Sequence, residues 1–145
     1  VTVDNHSENW RIKTKKFRQW LAKKFWEKYH KAPSTQAKQD ALGVLAGQAI
    51  YDGDEKAVHV RLAEYDGAYW LDLGNEDWEA VRITQVGWEI VANPPVKFLH
   101  PSGLLPLPCP SDQESPDRLL KFLNLKDTND WVLLQSWMVA ALKPT

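Results

Sequence analysis

Seven cationic side chains crowd the first part of this chain: Lys15, Lys16, Arg18, Lys23, Lys24, Lys28 and Lys31. Six are lysines, point charges on flexible stems. Such groups suit phosphates rather than two-pronged reading of a base edge. Trp26 or His30, in the same stretch, could stack on a base. The chemistry on offer is therefore nucleic-acid contact, weak and without sequence specificity. The competing reading is a solvated helix face, which the charge pattern taken alone favours.

Other residue types offer less. The chain has no GxxxxGKS/T, GxGxxG, HExxH, CxxC or GxSxG. His6, His30, His59 and His100 are far apart in sequence, without metal-ligand spacing. Cys109 sits between prolines, and no local spacing places a base beside it. Asp72, Glu76, Asp77 and Glu79 read as a hairpin tip, where carboxylates solubilise an edge; a Mg²⁺ site is the remote alternative. No residue set specifies catalysis, a metal or a cofactor.

The elements that must carry the cations are helices. Thr14 reads as an N-cap for a helix from Lys15 to about Lys31, with Phe17, Trp20, Leu21, Phe25 and Tyr29 on one stripe. Ala32-Pro33 ends it. Ser34 caps a second helix to about Tyr51, closed by Asp52-Gly53. Gly43 and Gly47 inside it predict a close approach of another backbone. A short hairpin is expected before the first helix, Val1–Val3 against Trp10–Ile12 around Asp4, Asn5, His6 and Ser7.

The middle of the chain alternates with period two, the mark of half-buried strands. Val58, Val60 and Leu62 alternate with His59, Arg61 and Ala63. Leu71 and Leu73 flank Asp72, and Val81 and Ile83 flank Arg82. Turns fall at Asp66-Gly67, Gly74-Asn75 and Val86-Gly87. About four antiparallel strands in a meander follow. Proline at 106, 108 and 110 then forbids helix and favours an extended connector, with leucines that should lie along a surface. Ser115-Pro116 opens a third helix, and Asp127 or Thr128 caps a fourth. Trp131, Trp137 and Met138 belong to a broad apolar face of that last helix, which expects a partner.

The chain has 145 residues, 43% hydrophobic and 26% charged, a composition that folds. No apolar run reaches the ~20 residues of a membrane helix, and no membrane partner is expected. The opening lacks a signal-peptide core, and the single cysteine suits a reducing compartment; the cytoplasm is the expected location. Residues 1–40 hold ten Lys/Arg against four Asp/Glu, a balance of +6, and the rest hold eight against fifteen, −7. The ends read as those of a piece cut from a longer protein.

Six segments together carry a resemblance: ENWRIKTKKFRQWL (8–21), APSTQAKQDALGVLAGQA (32–49), VHVRLAEYDG (58–67), YWLDLG (69–74), WEAVRITQVGWEIV (78–91) and PPVKFLHPSGLLPLP (94–108). The chain is similar, from Glu8 to Pro144, to the ATP-binding, primase/helicase-like replication proteins of phages, plasmids and integrated elements. In that family the stretch resembling Trp131 to Pro144 precedes the phosphate-binding loop of a P-loop ATPase. The resemblance implies a parent ATPase using ATP and Mg²⁺, and a chain that is a non-catalytic accessory part of it. The motor residues have no counterparts here.

The expected fold is α+β: two helices packed on an antiparallel β-meander, then a proline-rich linker and two C-terminal helices. The expected organisation is an accessory domain over 1–100, a connector over 101–114 and a helical segment over 115–145. The expected function is nucleic-acid binding or motor positioning in DNA replication. DNA, the adjacent ATPase domain and further copies of the chain are the partners considered. The alternative is a protein-interaction or oligomerisation domain without nucleic-acid contact.

Overall fold

The computed structural model describes residues 1–3, 6–113 and 115–144. Its architecture is α+β, with two helices early and two helical elements late. The chain divides into two compact units, Val1–Val58 and His59–Thr145.

The first unit opens on a hairpin, β1 (Thr2–Val3) against β2 (His6–Ser7), with Thr2 opposite Ser7 and Val3 opposite His6. The partner strand is thus His6–Ser7 and not the expected Trp10–Ile12; Asp4 and Asn5 lie outside the described residues. Glu8 explains the difference. Its buried carboxylate accepts hydrogen bonds from Trp10 Nε1 and from Lys16 Nζ, each at 2.6 Å. Trp10 is thereby held beside the first helix, edge-on to Trp20 with ring centroids 6.2 Å apart.

Helix α1 (Lys15–Tyr29) starts where Thr14 Oγ1 accepts the Phe17 amide. It ends where His30 takes a left-handed conformation, φ 51°, and returns its N–H to the Trp26 carbonyl. Helix α2 (Thr35–Tyr51) starts where Ser34 Oγ accepts the Ala37 amide. No residue of α2 is buried. A Cβ added at Gly43 or Gly47 would meet nothing within 4 Å. The expected close backbone approach at these glycines is therefore absent.

The second unit is built on a four-stranded antiparallel meander, β4 (Leu62–Tyr65), β5 (Ala68–Asp72), β6 (Ala80–Thr84) and β7 (Gly87–Val91), in that order. Asp66 and Gly67 both have positive φ, the backbone of a tight hairpin turn. The run Ala57 to Tyr65 is not one strand. Its first part, β3 (Val58–His59), pairs with β8 (Lys97–Phe98), and the His59 carbonyl accepts the Leu99 amide at 2.8 Å. Arg61 holds the break: its carbonyl accepts the Asp72 amide at 2.8 Å, and its guanidinium donates to the carbonyls of Asp72 and Leu105.

The main buried cluster stands on the face that period-two reading assigns to the polar side, while Leu73 and Val81 from the apolar side are buried as well. Ala63, Ala68, Trp70 and Ala80, with the loop residues Trp78 and Val96 and with Phe98 of β8, form the core. Ala63 and Ala80 are wholly buried, leaving room for the three large rings. Asp72 shares that face and is 1% exposed. Leu62, Leu71, Val81 and Ile90 stand in one cross-strand row on the opposite face, and only Val81 of them is buried.

The proline-rich connector lies along this unit. Leu107 N–H donates to the Leu73 carbonyl at 2.8 Å, and Trp88 Nε1 donates to Asp112 at 3.0 Å. Gly74 is required where the connector passes, because φ is +64° and an added Cβ would lie 2.9 Å from the Arg61 guanidinium and 3.2 Å from Leu104. A 3₁₀ helix (Pro116–Phe122) follows, capped by Ser115. Helix α3 (Thr128–Ala141) starts at Asp127, which accepts the amides of Asn129 and Asp130.

Candidate nucleic-acid interface

Six of the seven cations named from the sequence lie on α1, and Lys31 lies just beyond it; all seven are exposed. At about 100° per residue, Lys16 and Lys23 fall roughly 20° apart, while Lys24 and Lys28 fall on the far side of the axis from Lys15. The six on α1 therefore ring the helix and share no single face. Several have partners already. Lys16 is bound by Glu8 and lies over the Trp10 ring, 4.3 Å from its centroid. Lys23 and Lys24 both reach Glu27, at 3.7 and 3.0 Å. Arg18 turns back on the carbonyls of Lys13 and Thr14.

What brings cations together is the meeting of α1 and α2. One open groove, of about 480 Å³, is lined by Lys15, Arg18, Gln19 and Ala22 from α1 and Thr35, Lys38, Gln39 and Leu42 from α2. It contains three cations, two amides and a hydroxyl, and no carboxylate. Lys38 was not among the sequence candidates. The signal for it was helical spacing: it sits one turn past the Ser34 cap, on the side of α2 that meets α1.

Trp26, 55% exposed, stands edge-on to His30 with centroids 5.7 Å apart, outside this groove. On α3, Trp131 and Met138 are half-buried, and Trp137 is 67% exposed. Leu133 and Val139 of the same helix are exposed as well. A comparison with protein-family models, with curated proteins and with solved structures finds no match.

The acidic hairpin tip expected at Asp72, Glu76, Asp77 and Glu79 is a different object. Glu76 and Asp77 are exposed. Glu79 is tied to Asn75, whose side chain donates to its carboxylate at 2.8 Å and accepts its amide at 3.0 Å. Asp72 is inside. Its Oδ1 accepts the Gly74 amide at 3.1 Å and lies 3.1 Å from His100 Nε2. Its Oδ2 lies 2.9 Å from the same nitrogen without an aligned hydrogen bond. Trp78, with φ 56°, stacks flat on the His100 ring at 3.6 Å and 11°. Sequence reading missed this triad because its members are up to 28 residues apart. It fastens the connector: His100 opens the segment that Arg61 and Leu73 hold further along. Among the described residues no three His, Cys, Asp or Glu side chains gather as a metal site.

Proposed function

We propose that this chain is a non-catalytic accessory part of a primase/helicase-like DNA-replication ATPase and that it holds nucleic-acid phosphates between α1 and α2. The observation that supports this best is the groove of Lys15, Arg18 and Lys38, cationic and free of carboxylates. Gln19, Gln39 and Thr35 add neutral hydrogen-bonding groups to its lining. Phosphates take contacts of both kinds, and neither carries sequence information. The chain lacks a phosphate-binding loop motif, so the purified chain is expected to release no phosphate from ATP with magnesium.

The test is fluorescence anisotropy with labelled single- and double-stranded oligonucleotides at low salt. Lys15→Glu, Arg18→Glu and Lys38→Glu together should weaken binding at least tenfold while leaving the circular dichroism and melting curve as they were. Lys16 is unsuitable for reversal, because a glutamate there would face the buried Glu8 carboxylate. Undiminished binding by the triple variant would move the site away from this groove.

The second reading is an interaction domain. It is favoured by the exposed apolar residues of α3, Leu133, Trp137 and Val139. No binding by the parent chain at low salt, with self-association in ultracentrifugation, would decide for it.

A further inference from the structure

A second groove opens between α1 and α2, and its chemistry differs from that of the first. Its apolar lining is Leu21, Phe25 and Tyr29 from α1, Ala37 and Ala41 from α2, and Pro33 between them. Lys24, Lys28 and Lys38 complete the lining, and no carboxylate does. The groove measures about 330 Å³. The alanines give it depth, since a larger side chain on α2 would fill the space facing Phe25 and Tyr29.

We propose that this groove docks a short acidic and apolar segment of a partner protein. Its apolar side chains would lie against Leu21, Phe25 and Ala41, and its carboxylates would meet the three lysines. Apolar grooves edged by one sign of charge recognise peptides in this way, the apolar contacts giving affinity and the charges giving orientation and encounter rate. A nucleic-acid strand fits less well. Bases need open ring faces for stacking. Here Phe25 and Tyr29 turn towards each other, with centroids 4.7 Å apart and planes at 42°. The Lys28 ammonium lies 5.3 Å from the Tyr29 centroid, over the same ring. Lys24 presently reaches Glu27, but an exposed pair of this kind exchanges readily for a better-placed carboxylate. The inference does not depend on the nucleic-acid reading, because apart from Lys38 the two grooves share no residue.

The probe is a fluorescein-labelled decapeptide alternating aspartate pairs with leucine and phenylalanine, titrated with the full chain. Two control peptides replace the aspartates by asparagine or the apolar residues by serine. Binding should be weak, should fall with salt, and should drop at least tenfold for either control. Ala41→Phe, which fills the groove, and the double variant Lys24→Glu/Lys28→Glu should each lose at least tenfold. The double variant changes only exposed side chains, so it remains informative if Ala41→Phe fails to fold. Lys15→Glu/Arg18→Glu should bind the peptide as the parent does. No binding of the decapeptide, equal binding of the asparagine control, or undiminished binding by a folded double variant would overturn the proposal. It would also be overturned if the double variant lost oligonucleotide binding while the decapeptide did not bind; the groove would then belong to nucleic acid.

Discussion

Two buried carboxylates, Glu8 and Asp72, each gather a local structure, and they do so in different ways. Burial alone would raise the Glu8 pKa, but hydrogen bonds from Lys16, Trp10 and His6 and the Lys16 charge hold it below its usual 4.5. A folded-state pKa below the unfolded one stabilises the protein above the unfolded value. That stabilisation disappears as pH falls through the folded value. Acid titration followed by tryptophan fluorescence should therefore show a loss of the Trp10–Trp20 environment below pH 4.5. Glu8→Gln should remove this step and cost roughly 1–3 kcal/mol at neutral pH, the usual penalty for an unsatisfied buried partner. Asp72 is organised instead by His100, Gly74 and the stacked Trp78. Asp72→Ala should release the connector before it unfolds the sheet. The readout is hydrogen exchange of the Leu107 amide, which donates to Leu73 and should exchange faster than the amides of β5.

At the scale of elements, the helices and the four-stranded meander were legible, while the first hairpin's partner strand, the break at Arg61 and the face that carries the main core were not. Caps fixed the helices: Thr14, Ser34 and Asp127 all accept amides as their residue types require. Turn residues fixed the hairpins, as at Asp66-Gly67. The main buried face does not stand out in the alternation because its strand positions carry alanine, tryptophan and a paired aspartate, while leucine, valine and isoleucine, Val81 and Leu73 apart, occupy half-exposed positions. Small residues register as weak signals in a period-two pattern although they decide how closely rings can pack. The groove cations were half legible. Lys15 and Arg18 were named, but Lys38 required knowing which side of α2 meets α1. Two substitutions test these readings. Ala80→Leu should overpack the core beneath its rings and cost about 1–3 kcal/mol in urea unfolding. Gly43→Ala/Gly47→Ala should do the opposite. Both sites are helical with open space around them, so the pair should gain up to roughly 2 kcal/mol, read as a raised melting temperature. A loss instead would mean that another body covers α2 in solution.

For the molecule as a whole, the decisive quantity is the uneven distribution of charge. The net charge of −1 gives no attraction to nucleic acid at long range. Binding must therefore come from the local excess over residues 1–40, screened within about 10 Å at 0.1 M salt. Of the ten cations there, Lys16, Lys23 and Lys24 are engaged by Glu8 and Glu27, and of the remaining seven Lys15, Arg18 and Lys38 line one groove; these three are the proposed phosphate contacts. Three contacts predict a shallow salt dependence. The slope of log K against log salt should be about −2.7 for duplex DNA and about −2 for a single strand. A site using all seven cations would give a slope more than twice as steep. Changing Lys15 to glutamine should reduce the slope by about a third, whereas changing Lys23 to glutamine should leave it within error. A slope steeper than about −5 for duplex DNA, or a fall in slope with Lys23→Gln as large as with Lys15→Gln, would show that the ring of lysines acts as a whole and that the groove is not the site.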